Sequence, residues 1–360
     1  MLTRVLYVSD AKSVHTQRWA EHYRDQGVDV HVASFRPATI QGVQVHVLPT
    51  FGLGRLGYFL AVPLLRRLAT RIAPDVVHAQ YLTSYGFLTA LAYLRPLVVT
   101  AWGSDVLISP RESRVMRWLA SYAVRHADAV TSVAEHMNGA IASLGFPIDE
   151  VVAVPFGVDT QRFVPPAVPR SETSPLRLIC TRNFGPIYSV HTLVSALREV
   201  GMHGLSLAVD LVGEGPLRRE LEREVERAGM GSCVTFRGYV DHAYLAQLLG
   251  QAHMFVTPAL SDGNNVSLNE AMACACFPIA TDIPANAQWI DHGVNGFLYP
   301  AGDTTRLAEC ILWAAGDPGL RASAGVINRA IVESRADWRM SVARMNSTYA
   351  KAIRHAREST

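Results

Sequence analysis

The sequence predicts an α/β fold of two doubly wound domains in tandem, and three features carry that expectation. A chain of 360 residues exceeds one ordinary α/β domain and suffices for two, each with its own core. Short β-branched runs alternate with longer amphipathic segments along most of the chain, the pattern of parallel strands joined by right-handed helical crossovers. A proline-rich break interrupts the alternation near the middle, after which it restarts.

In chain order, residues 5–9, 28–33, 43–48, 76–79, 97–100, 129–132 and 151–154 read as strands of a first domain over 1–162, with helical patterns between most of them. The run Phe163-Val164-Pro165-Pro166-Ala167-Val168-Pro169-Arg170-Ser171-Glu172-Thr173-Ser174-Pro175 carries four prolines, which forbid a continuing helix or strand, so 163–175 is the expected linker. Strands resume at 176–181, 206–212, 234–237, 254–257 and 277–280, each followed by a helical pattern such as 217–228, and define a second domain over 176–336. Met340, Val342, Met345 and Tyr349 then recur at helical spacing, so 337–360 is expected as a helix packing back toward the first domain.

Composition excludes several classes. A net charge of +2 without a basic stripe in either half argues against a nucleic-acid partner. The five cysteines (Cys180, Cys233, Cys274, Cys276, Cys310) lie amid apolar residues without zinc-ligand spacing, which suits a reducing cytosol and predicts no metal site. Arg4-Val5-Leu6-Tyr7-Val8 reads as a buried strand and not as the start of a signal peptide. The longest apolar stretch, around 58–65, is broken by Pro63 and stopped by Arg66-Arg67, well short of the roughly 20 residues of a membrane span. The expected location is therefore the cytoplasm, and the arginine-heavy, lysine-poor composition suggests a GC-rich bacterial genome.

In open parallel sheets, ligands bind beyond the carboxyl ends of the strands, where helix N-termini and loop amides converge. The strongest run after a predicted strand is Thr257-Pro258-Ala259-Leu260-Ser261-Asp262-Gly263-Asn264-Asn265-Val266-Ser267-Leu268-Asn269-Glu270-Ala271-Met272-Ala273. It reads strand, turn, helix, with unsatisfied amides at the helix start and two carboxylates able to accept hydrogen bonds from sugar or ribose hydroxyls. Taken as isolated residues, Asp262 or Ser261 would serve as a helix N-cap and Glu270 as a helix-surface charge.

With its surroundings, this run resembles the acidic-x7-acidic signature of family 4 glycosyltransferases, whose fold is the GT-B arrangement of two Rossmann-like domains facing across a cleft. Val154-Pro155-Phe156-Gly157-Val158-Asp159-Thr160-Gln161-Arg162-Phe163 is similar to the family's interdomain run. Val212-Gly213-Glu214-Gly215-Pro216-Leu217 resembles its strand-to-helix turn, Phe236-Arg237-Gly238-Tyr239-Val240 its base-binding loop, and Gly293-Val294-Asn295-Gly296-Phe297-Leu298 the stretch after the signature. The resemblance implies that Glu270 holds the donor ribose. It also implies that Asp262, Gly263 and the amides of Asn264, Asn265 and Val266 hold the transferred sugar. Arg182, followed by Asn183, matches the family's diphosphate arginine, and a guanidinium suits two phosphate oxygens at once. Gly238, Tyr239 and Val240 would present backbone groups to the base.

Three departures stand out. The signature opens with Asp262 where the family usually has Glu, Tyr188 stands near the place of a customary lysine, and Trp102 replaces a His before Gly103-Ser104-Asp105. The Trp102 ring can stack on a sugar face, and it can equally be core. The loop Ser9-Asp10-Ala11-Lys12-Ser13 opens a helix and is a candidate to meet the diphosphate through its amides, Ser13 among them, and the acceptor through His15, which would otherwise be a cap or surface residue. Asp105 and Glu135 are further acceptor-side candidates. Gly52-Leu53-Gly54-Arg55-Leu56-Gly57 fits the dinucleotide fingerprint, but it follows the third strand and no acid ends the next one, so nicotinamide or flavin binding is not expected.

The implied activity is transfer of a hexose-type sugar from a nucleotide diphosphate donor, UDP-sugar favoured and GDP-sugar next, to a small-molecule or lipid-linked hydroxyl. No cofactor is expected, the nucleotide-sugar being a substrate. Arg182 and helix N-termini would stabilise the leaving group without metal, in line with the absence of any Asp-x-Asp motif, and the resemblance implies retention of configuration. A degenerate GT-B binding protein and a nucleotide-sugar epimerase are the rival readings. Leu64-Leu65-Arg66-Arg67-Leu68 and residues 111–125, with Trp118 and Tyr122, mark either a peripheral membrane contact or solvated helix faces.

Overall fold

The computed structural model describes residues 2–358 other than positions 51, 53, 55, 56, 169, 173 and 174. Leu53, Arg55 and Leu56, three of the six positions of the Gly52–Gly57 motif, lie outside the described residues, as does Phe51 just before it.

The chain forms two compact units, one of residues 1–156 with 341–360 and one of residues 157–340. In the first, β1 (Arg4–Val8), β2 (Asp29–Ser34), β3 (Gln44–Val47), β4 (Val76–Gln80), β5 (Leu97–Ala101), β6 (Ala129–Ser132) and β7 (Val152–Ala153) make a sheet in the order β3-β2-β1-β4-β5-β6-β7. All its pairings are parallel. In the second, β8 (Leu176–Cys180), β9 (Leu207–Val212), β10 (Val234–Gly238), β11 (Met254–Thr257), β12 (Phe277–Thr281) and β13 (Phe297–Tyr299) take the order β10-β9-β8-β11-β12-β13, again parallel. Central strands such as Leu97–Ala101 and Phe277–Thr281 are buried at every residue, which is why they read as continuous apolar runs and not as alternation.

Strand order reverses between β1 and β4 in one unit and between β8 and β11 in the other. At such a switch point the loops after the two central strands diverge to opposite faces and leave a crevice at their carboxyl ends. The residues after β8 and β11 are Arg182 and the Asp262 loop, so topology alone brings these two runs together.

The boundary between units falls between Phe156 and Gly157, ahead of the proline-rich run expected as the linker. That run is held to the second unit: the Arg170 guanidinium donates to the carbonyl oxygens of Ala275 at 2.9 Å and Gly250 at 3.2 Å, and Glu172 pairs with Arg321. Proline content blocks regular structure there without freeing the segment. The last helix, Trp338–Glu358, contributes its residues from Ser341 onward to the first unit. There Tyr349 is fully enclosed, its hydroxyl 2.7 Å from His78 Nδ1 and 3.1 Å from the Tyr7 hydroxyl. Among the described residues no helix is long and apolar enough to cross a membrane.

Candidate functional site

Arg182 follows β8 and is 9% exposed. Its Nε donates to Thr257 Oγ1 at 3.0 Å and its Nη2 to Asp262 Oδ2 at 2.9 Å, while the guanidinium lies 5.6 Å from the centre of the Tyr188 ring. Desolvation largely offsets the attraction within such a buried pair, so its consequence is placement more than stability. Three contacts fix one side chain that would otherwise sample many rotamers.

The neighbouring turn explains how the Arg182 backbone is set. Phe184 donates its amide to the Glu214 carbonyl at 2.9 Å and accepts from the Leu217 amide at 3.0 Å. A Cβ at Gly213 (φ +148°) would lie 2.3 Å from the Arg182 carbonyl oxygen, and one at Gly215 would lie 2.5 Å from that of Phe184. The Gly213-Glu214-Gly215 run is thus required by close approach of two main chains.

The loop after β11 departs from expectation in three ways. The N-cap of helix Val266–Ala273 is Asn265, whose Oδ1 accepts from the Leu268 amide at 3.0 Å, and not Asp262 or Ser261. Asn265 Nδ2 also donates to Asn286 Oδ1 at 2.8 Å and to Thr257 Oγ1 at 3.3 Å, so threonines ending β11 and β12 and two asparagines brace the loop. The Val266 amide, expected to face a sugar, donates to the Asn264 carbonyl at 3.0 Å and is consumed. Asp262 gives one oxygen to Arg182, which makes it first a holder of the arginine. The Asn264 side chain, in contrast, is 5% exposed, and neither its Oδ1 nor its Nδ2 meets a partner among the described residues. Gly263 and Glu270 are buried in the same loop and helix.

At the end of β10, the Gly238 carbonyl accepts from the Gly213 amide at 2.9 Å, which ties the expected base-binding loop to the turn after β9. Gly238 has φ +67°, which turns the chain so that Tyr239 stands exposed while Val240 packs on the core. Asn183 is exposed.

In the first unit, His15, Trp102 and Phe156 gather at the carboxyl edge of the sheet. The His15 ring stacks on Phe156 at 3.6 Å, and Trp102 meets both edge-on at 5.8 and 5.9 Å. Burial, assisted by the Arg18 charge, pushes the His15 pKa down to about 4, so its imidazole is neutral at pH 7. Phe156 was not singled out from sequence; its place after the last strand of the first unit was the available signal.

Two first-unit expectations fail. The loop amides expected at the diphosphate are already spent: Ala11 donates to Ser34 Oγ, Lys12 to Asp10 Oδ1 and Ser13 to the Asp10 carbonyl, each at 3.0 Å. Ser13 itself caps helix Val14–Asp25 through His15 N. Asp105 is fully buried and accepts from the amides of Leu82 (2.7 Å), Gly103 (2.8 Å) and Trp102 (3.0 Å). Burial raises its pKa despite those bonds, and it clamps the Trp102 loop and does not face an acceptor. Glu135 is exposed at the start of a short turn after β6. A hollow of about 910 Å³ opens at the amino-terminal edge of this sheet, beside Leu2, Asp75 and Pro96. It lies at the opposite end from the residues above and carries none of them.

Comparison with known proteins agrees with this anatomy. Residues 4–134 match the family described as "Glycosyl transferase 4-like", and residues 175–317 match "Glycosyl transferases group 1". The colanic acid biosynthesis glycosyltransferase WcaL of Salmonella typhimurium, itself a putative assignment, is 24% identical over 190 residues, 51% of this chain and 47% of WcaL. The chain spans about half the length of the first curated relatives it matches. A GDP-mannose-dependent phosphatidylinositol monomannoside mannosyltransferase of Mycobacterium tuberculosis is 25% identical over 275 residues, 71% of each chain. Among solved structures, HepE of Anabaena in complex with UDP has a TM-score of 0.81 at 20% identity, covering 97% of this chain and 100% of HepE, a likeness of fold. By both halves of its sequence and by its GT-B fold, the chain belongs to the family 4, group 1 glycosyltransferases.

Proposed function

We propose that this chain moves a hexose-type sugar from a nucleoside diphosphate donor to an acceptor hydroxyl, with retention of configuration and without a metal ion. The observation that carries the reading is Arg182, held by Thr257, Asp262 and Tyr188 at the switch point of the second sheet. Its Nη1 has no partner among the described residues, and it offers a fixed positive charge to the diphosphate as the glycosidic bond breaks. Asn264 supplies the sugar contact: a buried carboxamide without partners costs about 1–3 kcal/mol, which hydroxyls of a bound sugar would offset. Glu270 takes the ribose, and Tyr239 and Val240 the base.

Neutral His15 and the Trp102 ring take the acceptor side. An imidazole titrating near 4 is a poor general base, which fits a same-face reaction in which the donor phosphate receives the acceptor's proton. UDP is favoured because HepE is described with UDP and with UDP and glucose, and GDP remains an alternative because the mycobacterial relative is GDP-mannose-dependent. The degenerate-binding reading draws on one observation, the first-unit loop amides already consumed at residues 11–13.

A thermal-shift screen of UDP, GDP, TDP and ADP with their sugar conjugates tests the proposal, on the wild type and on Arg182→Ala. A ligand at a hundredfold excess over its dissociation constant adds about 2.7 kcal/mol of stability. One nucleotide class should shift the wild type and leave the variant unmoved. If no nucleotide shifts the wild type, the donor reading is wrong. Binding without product on any hydroxyl acceptor supports the degenerate protein, and donor conversion without acceptor supports the epimerase.

A further inference from the structure

We infer that the first unit carries a docking surface for an anionic phospholipid bilayer, centred on helix Arg114–Arg125. The helix buries Ala120, Ala123 and Val124 and exposes Arg114, Val115, Arg117, Trp118 and Arg125. Trp118 is 57% and Val115 62% exposed, a poor arrangement for a surface that meets only water.

Aromatic rings extend this face across three more helical segments. Phe59 meets Phe87 at 5.8 Å, Phe87 meets Trp118 at 5.4 Å, and Trp118 meets Tyr122 at 5.8 Å. Tyr122 stacks on His126 at 3.9 Å, His126 meets Tyr93 at 6.5 Å, and the Arg66 guanidinium lies 5.3 Å from the centre of the Tyr93 ring. Phe59, Tyr93 and Trp118 are exposed along that ladder and Arg66 lies against Tyr93; Arg67, Arg114, Val115 and Arg117 are exposed on the same helices, Arg117 donating to the Ser143 carbonyl at 3.0 Å. Rings with one apolar body and one polar edge favour the boundary between headgroups and acyl chains, and cations favour the anionic surface above it.

Charge selects the occupant. Residues 57–128 hold eight arginines and no lysine against Asp75, Asp105, Glu112 and Asp128; Asp128 pairs with Arg95 and Asp105 is fully buried, which leaves the segment at +4 while the whole chain carries only +2. A second copy would bring the same positive surface and be repelled. An anionic bilayer offers opposite charge over an extended area and an apolar layer for Trp118 and Val115. This binding needs no donor, acceptor or turnover, so it stands or falls apart from the transfer reading.

The test is co-sedimentation with vesicles of phosphatidylcholine alone or containing about one third phosphatidylglycerol, at low and raised salt, scored as a partition coefficient. Wild type should sediment with the anionic vesicles only. Each exposed arginine near such a surface contributes about fivefold, so Arg67→Gln with Arg114→Gln should lower partition roughly thirtyfold. Val115→Ser with Trp118→Ser should also lower it, with circular dichroism and melting temperature retained because both side chains are exposed. Wild-type protein left in the supernatant with anionic vesicles at low salt overturns the inference. So does equal sedimentation of the variants, or a dimer in solution that the same variants abolish.

Discussion

Tyr188 stands where the family resemblance leads one to look for a lysine, and its ring lies against the guanidinium of Arg182. On the proposed reading of Arg182 as the diphosphate contact, Tyr188 acts through the arginine and not as a second cation. A cation–π contact of this exposure is worth about 0.5–1 kcal/mol, so Tyr188→Ala should weaken nucleotide binding two- to fivefold while Tyr188→Phe stays within about twofold, by calorimetric titration. Equal losses in both variants would assign the effect to the hydroxyl instead. Arg182 was legible in the sequence because it directly follows a strand. The burial of Asp105 was not, since its partner Leu82 lies 23 residues away and belongs to another loop.

Among the elements, the strands were the most legible part, because burial on both faces writes itself as β-branched runs. The final helix was legible as a helix through its apolar spacing, and beside its buried Met345 and Ala352 it carries a polar seam that the spacing does not show. Tyr349 joins His78 and Tyr7, and His78 Nε2 lies 2.6 Å from Thr100 Oγ1. Removing that one hydroxyl strands a buried histidine nitrogen, so Tyr349→Phe should cost about 1–3 kcal/mol in urea denaturation. A loss below about 0.5 kcal/mol would mean that the seam tolerates the change. Loops were least legible, because whether an amide is free for a ligand depends on acceptors that only folding brings near it.

At the scale of the whole molecule, several buried histidines set the response to acid. Burial pushes His78 down to about 3 and His15 to about 4, and His22, His46 and His253 shift the same way. An unfolded histidine binds its proton near pH 6.5, so below that pH the unfolded chain holds more protons and stability falls as pH falls. The contribution is complete above about pH 6.5 and is lost progressively toward the folded values. Raised Asp105 works in the opposite sense, from the ordinary carboxylate value of about 3.8 upward. Between pH 7 and 5 the folding free energy should therefore drop, and His78→Gln should shrink that drop by about 2 kcal/mol. Denaturation curves at the two pH values check this, and an unchanged drop would show that His78 is protonated in the fold.

Periodicity, length and the order of motifs determined two parallel-sheet domains and the runs that follow their strands, because strand and helix periods are local and survive in a linear string. Tertiary structure alone decided that Asp262 gives one carboxylate oxygen to Arg182, that the loop amides at residues 11–13 are consumed, and that Asp105 is walled in. The same folding left the Asn264 carboxamide buried without a hydrogen-bond partner among the described residues. A polar group's availability is the difference between its bonding capacity and what its neighbours take, and those neighbours are assembled from distant parts of the chain.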